Sequence, residues 1–146
     1  MKNIFFIANK EIKTYIASPM AYIVSASFLG VTGFFFVASV SDAFAEASIR
    51  GFLAGAVFFL IFLSPAITMR LLSEEQKLGT LELLLTSPLR ETEIVIGKFL
   101  AAFSILLMMF LFTIFYTVIL LIYGVPDMGP IFTGYLGLIL YGAATL

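Results

Sequence analysis

The chain has 146 residues, of which 62% are hydrophobic and 12% charged, with a mean hydropathy of +1.13. Soluble domains carry roughly 45–50% apolar and about 25% charged residues, so an ordinary water-soluble domain is excluded. A net charge of −1 points to no nucleic-acid partner; the lack of Cys excludes disulfides and thiolate metal sites, and the lack of His removes the commonest metal ligand and general base.

The chain opens with its own helical periodicity. Ile4, Phe5, Ala8, Ile12, Tyr15 and Ile16 fall on one face, and Lys2, Asn9, Lys10 and Lys13 fall opposite. This predicts an amphipathic interfacial helix over 1–18 lying on membrane lipid. Glu11, between Lys10 and Lys13, sits at the edge of the apolar arc and is not explained by a simple anchor. Ser18-Pro19 breaks the helix and lets the chain turn into the bilayer, so Pro19 is a candidate hinge.

Three runs then contain no Asp, Glu, Lys or Arg: 21–40, 51–69 and 99–123. Each is long enough to cross a ~30 Å hydrocarbon core, which takes about 20 helical residues. A fourth charge-free run, 131–146, ends with the chain and is expected to be a truncated span. Barrel strands alternate apolar and polar residues, whereas these runs are apolar on every side. The predicted fold class is therefore all-α, a polytopic transmembrane helical bundle of four spans, forming a single domain over 1–146. Ala43-Phe44-Ala45 has the form of a signal-peptidase site, but the segment before it is too long and further spans follow, so the first run reads as a span.

Lys2, Lys10 and Lys13 precede the first span, and Arg70, Lys77, Arg90 and Lys98 lie between the second and third. Only Arg50 occupies the remaining loops. By the positive-inside rule the N-terminus and the 70–98 loop are cytoplasmic, in a multi-pass protein of the cytoplasmic (inner) membrane.

In the second span Gly51 and Gly55 are spaced for close approach of another helix, within the chain in preference to a dimer seam. Pro65 removes a backbone donor near the cytoplasmic end and predicts a kink, a second candidate hinge. The third span carries Phe103, Phe110, Phe112, Phe115, Tyr116, Met108 and Met109, bulk that packs helices or faces lipid. No residue within the spans is ionisable, which argues against an ion-coupled pump or a proton relay.

Chemical character concentrates in 70–98. Ser73 with Gln76 forms a capping-box pattern that predicts a helix start, Gly79 interrupts it, and Ser87-Pro88 starts a helix leading into the third span. Leu81, Leu84 and Leu85 form a short apolar face beside Glu82, a surface that a soluble partner would cover. Glu74, Glu75, Glu82, Glu91 and Glu93 lack the His, Cys or ligand spacing that catalysis or a metal would need, and solvate helix faces instead. Gly97-Lys98 is not a phosphate loop, because no Gly stands five residues before it and Phe99 replaces the magnesium-holding Ser or Thr.

The string Glu75-Gln76-Lys77-Leu78-Gly79-Thr80-Leu81-Glu82-Leu83-Leu84-Leu85-Thr86-Ser87-Pro88, followed by Glu93-Ile94-Val95-Ile96-Gly97-Lys98, resembles the E-x-x-x-G-T-L-E-x-L-L-x-S-P and E-I-x-x-G-K pattern of type-2 ABC transporter permeases. Lys10 to Tyr15 and Ser18 to Tyr22 resemble the opening of the same family, closest to permeases of gliding motility and of nitrous oxide reductase maturation. The resemblance implies six spans, so the chain is expected to be an N-terminal fragment or the product of a broken gene. It implies pairing with a second permease half, homo- or heterodimeric, and docking of a cytoplasmic ABC ATPase subunit through a coupling helix between spans two and three. Here that element is 74–87, with Glu74, Glu75, Gly79, Thr80, Leu81, Glu82, Leu84, Leu85 and Ser87 as candidate contact residues. The helix before Pro19 would brace the contact. No cofactor is expected in this chain, with ATP and Mg bound by the partner. The alternative is a non-transport scaffold that recruits a cytoplasmic protein through the leucine-rich loop. A membrane enzyme ranks behind both, since no nucleophile and base stand together.

Overall fold

The computed structural model describes residues 2–41, 48–78, 91–124 and 126–146. They form five helices: α1 Lys2–Ala17, α2 Pro19–Val40, α3 Arg50–Leu78, α4 Glu91–Tyr123 and α5 Met128–Thr145. No strand occurs among the described residues. Hydrocarbon offers no water to backbone N–H and C=O groups, so long apolar runs satisfy them internally as helices. Three segments are long and apolar enough to cross a membrane: Pro19–Val40, Arg50–Arg70 and Thr92–Tyr123. The run expected to be a truncated fourth span forms α5, of 18 residues, which is not among those three.

Ser18 and Pro19 start α2 as their chemistry suggests. Ser18 has an extended backbone, its Oγ accepts from the Met20 N–H at 3.3 Å, and Pro19 occupies the first turn. A missing N–H costs nothing there, because the first helical donors have no intrahelical partner.

Two helices outrun their apolar segments. At 1.5 Å per residue, the 29 residues of α3 and the 33 of α4 span about 44 and 50 Å, against ~30 Å of hydrocarbon. The excess of both lies at the end of the bundle where α1 packs. The predicted 70–98 loop is thus helical at both margins, with α3 continuing to Leu78 and α4 beginning at Glu91. Ser73 does not start a helix: it lies within α3, and its Oγ donates to the Arg70 carbonyl at 3.2 Å. The stretch from Arg70 to Leu78 holds no Gly or Pro and mostly strong helix formers, so nothing stops the helix where hydropathy falls. Pro65 also stands inside the continuous α3. Thr68 Oγ1, one turn on, donates to the carbonyls of Ser64 and Pro65 at 3.1 and 3.0 Å.

Helices in lipid gain little from apolar burial against one another, so small residues and cross-helix hydrogen bonds decide the packing. Gly51 and Gly55 set the α2–α3 seam. A Cβ on Gly51 would lie 2.7 Å from Ser39 Oγ, and one on Gly55 2.6 Å from Phe35 Cγ. The glycine pair therefore faces a helix of the same chain, as expected. Across α4 and α2, Tyr116 Oη donates to the Leu29 carbonyl at 2.8 Å. Gly33 makes room for it, since a Cβ there would stand 3.0 Å from that hydroxyl. On α5, Tyr135 Oη donates to the Thr113 carbonyl of α4 at 2.9 Å, and Thr145 Oγ1 lies 2.9 Å from Ser64 Oγ of α3. Phe28, Phe52, Leu60, Leu106 and Leu138 fill the centre. The bulky residues of α4 divide as expected. Met109 and Phe110 are buried and Tyr116 stacks on Phe36 at 5.1 Å, whereas Met108, Phe112 and Phe115 face outward.

Candidate functional site

Most of the charged residues among those described gather at the α1 end of the bundle, with Arg50 and Asp127 at the other. α1 packs lengthwise on the first turns of α4, with Ile4 and Ile7 against Gly97, where a Cβ would stand 2.9 Å from Ile7 Cγ2 and 3.3 Å from the Ile4 carbonyl oxygen. Further along, Ile12 and Tyr15 border the same cavity as Ser104 and Ile105. Glycine at 97 and alanines at 101 and 102 give α4 a smooth strip on which the α1 backbone can rest, the arrangement that close helix pairs use in membranes.

This contact divides the apolar residues of α1. Ile7, Ala8, Glu11 and Tyr15 are buried against the bundle, while Phe5 and Phe6 are each 75% exposed and Ile16 is also open. The single apolar face expected from periodicity is therefore two. One packs on α4, and a second stripe with Phe5 and Ile16 faces away from the protein, because α4 covers less of the circumference of α1 than the apolar arc spans. Lys10 and Lys13 are exposed, as placed by the sequence pattern.

Glu11 is buried, and so is Lys98 of α4. Both hold hydrogen-bonding or electrostatic partners, as do Arg70 and Glu93. A buried charge without a partner is costly enough that such groups are fixed in place by their surroundings. Arg70, at the point where α3 leaves its apolar run, sets its guanidinium 4.5 Å from the centre of the Tyr15 ring. That cation–π contact ties α1 to α3, while the Gly97 contact ties α1 to α4. α1 thus joins the two helical stems that enter and leave 79–90.

Of the residues singled out from the sequence, Gly79, Thr80, Leu81, Glu82, Leu84, Leu85 and Ser87 lie outside the described residues, as does Ala43-Phe44-Ala45. Glu74 and Glu75 belong to the last turns of α3, and Glu91 opens α4. Tyr15, Arg70, Gly97 and Lys98 join the site only in the structure. The spacing of Gly97 and Ala101 is the signal that would have found the α4 strip.

A bundle of long apolar helices, with most of the charge of the described residues at one end, defines a multi-pass helical membrane protein. The model of the ABC-2 family transporter proteins matches residues 5–145, and the chain belongs to that family. It is a permease component of an ABC transporter, a membrane subunit of the kind that works with a cytoplasmic ATPase. No curated protein and no solved structure matches the chain.

Proposed function

We propose that this chain is the permease subunit of an ATP-driven exporter of the cytoplasmic (inner) membrane, with its N-terminus on the cytoplasmic side. It lines part of the translocation path, pairs with a second permease half, and docks a separate ATPase through the segment joining α3 to α4. Leu81, Leu84 and Leu85 form the apolar part of that contact. Glu75 and Glu82 set its register, with Glu74, Gly79, Thr80 and Ser87 around them. ATP and Mg belong to the ATPase.

The observation that carries this reading is the α1 junction. α3 and α4 project past the apolar core on either side of the proposed docking segment, and α1 is fastened to both, through Tyr15–Arg70 and Ile7–Gly97. A domain that pushes on the segment therefore works against a braced pair of levers, and its movement reaches the spans. The runs 21–40, 51–69 and 99–123 contain no Asp, Glu, Lys or Arg that could couple to an ion gradient, consistent with energy supplied from a separate subunit.

The test is copurification of the permease with co-expressed ABC ATPase subunits of the same cell, comparing the native segment with L81S/L84S/L85S. Loss of the ATPase with the permease still folded and inserted is the expected result. Failure of any ATPase to copurify with the native protein would leave a non-transport scaffold as the better reading.

A further inference from the structure

Ser64, Pro65 and Thr68 fall together in α3, where two causes of helix bending coincide. Proline has no N–H, so the Ile61 carbonyl one turn back loses its intrahelical donor, and the ring pushes that turn open. Thr68 Oγ1 donates to the carbonyls of Ser64 and Pro65 at 3.1 and 3.0 Å, and a hydroxyl bonded back onto its own helix bends it further. The rest of α3 holds no other proline, and glycine only at 51 and 55. This turn is therefore the place where α3 bends most readily.

The contacts on its two sides differ. Before it, α3 is fastened to the bundle, with Gly51 and Gly55 against Ser39 and Phe35 of α2. Leu53 meets Gly134 of α5, where a Cβ would stand 3.0 Å from Leu53 Cδ2. The last link to α5 before Pro65 is Ser64, fully buried with its Oγ 2.9 Å from Thr145 Oγ1. Thr145 has a single hydroxyl proton, which goes to the carbonyls of Tyr141 and Gly142 at 3.1 Å each, so Ser64 is the donor of the pair. Beyond the turn, Arg70 lies over Tyr15 of α1.

We propose that the Ser64–Pro65 turn is the fulcrum on which the end of α3 swings, and that the Ser64–Thr145 bond confines the bend to the residues beyond it. The inference rests on the reading that an ATPase pushes on the segment joining α3 to α4, and names where that push becomes movement. From Pro65 to Leu78 the lever is about 20 Å long at 1.5 Å per residue. A bend of about 20° carries Ser73 through about 4 Å. Arg70 takes Tyr15, and with it α1, along the same path, while α2, α5 and the start of α3 hold still.

The test is pulsed electron paramagnetic resonance on the permease, with nitroxide labels on cysteines introduced in pairs into a sequence that has none of its own. Exposed Phe132 of α5 is paired with Ser73 beyond the fulcrum or with exposed Phe58 before it. Excess unlabelled permease removes distances between copies. The Ser73–Phe132 distances are expected to spread over about 4 Å more than the Phe58–Phe132 distances. Pro65→Ala, which restores a donor to the Ile61 carbonyl, is expected to remove most of that excess. Ser64→Ala and Thr145→Val each delete one half of the hydrogen bond. Both are expected to broaden the Phe58–Phe132 distances as well, without adding to each other in the double variant. Equal spreads for the two native pairs, or a native spread in Pro65→Ala, overturn the fulcrum. Unchanged Phe58–Phe132 distances in both hydroxyl variants, with native helix content by circular dichroism, overturn the part given to Ser64. Adding the ATPase with a non-hydrolysable ATP analogue is expected to shift the Ser73 pair alone. A spread present in the permease but deaf to the ATPase supports the fulcrum and counts against the docking segment.

Discussion

Arg70 of α3 holds its guanidinium 4.5 Å from the ring centre of Tyr15 on α1, and the ring is almost fully buried. Cation–π pairs range from about 0.5–1 kcal/mol at exposed sites to about 2 kcal/mol when desolvated. Replacing Tyr15 with Leu keeps apolar bulk and removes the π face, whereas Phe keeps both. Tyr15→Leu is expected to loosen α1 and speed tryptic cleavage at Lys10 and Lys13, with Tyr15→Phe close to native. Equal cleavage of all three proteins would show that the ring contact does not hold α1.

Gly97 is where α1 and α4 come closest. A methyl group there would press on Ile7 at 2.9–3.0 Å and on the Ile4 carbonyl oxygen at 3.3 Å. Overpacking of this kind costs about 1–3 kcal/mol. Gly97→Ala is expected to lower the thermal midpoint of the detergent-solubilised protein. Adding Ile7→Ala should recover much of the loss, because the two changes share one contact and so are not additive. Simple additivity in the double variant would place the strain elsewhere.

The Gly51–Gly55 pair packs on Ser39 and Phe35 of α2. Gly55→Leu is therefore expected to destabilise the folded protomer and to leave the cross-linked homodimer fraction of what remains folded unchanged. Selective loss of the cross-linked dimer, with native protomer stability, would mean that the pair serves a contact between chains.

Glu82 is proposed to set the register of the ATPase contact. Reversing its charge with Glu82→Lys is expected to reduce copurified ATPase several-fold without altering membrane insertion, since the residue lies outside the apolar runs. Normal capture of the ATPase by this variant would remove Glu82 from the contact.

Much of the bundle is written in the distribution of charge. The run 21–40 lies within α2, 51–69 within α3 and 99–123 within α4, and Ser18-Pro19 starts α2 with the predicted cap. Glu11 stood out as a carboxylate at the edge of an apolar arc, and it is buried. The extensions of α3 and α4 were less legible. A fall in hydropathy marks where lipid ends, whereas a helix ends only where a stop signal or lost packing ends it. Ser73-x-x-Gln76 mimics a helix start inside a helix that has no reason to stop.

Composition and periodicity alone determined that this is a helical membrane protein and where its three long apolar spans lie, while the ordered motif from Glu75 to Lys98 carried the family resemblance. That follows because the bilayer forces an apolar run to satisfy its backbone internally, whatever its neighbours. Only the tertiary structure decided which face of α1 is buried, that Gly97 seats it, that Arg70 meets Tyr15, and that Gly33 opens the Leu29 carbonyl to Tyr116. Lipid and a neighbouring helix are almost equally good apolar surroundings, so pairing is settled by a few close approaches and hydrogen bonds between residues distant in the chain.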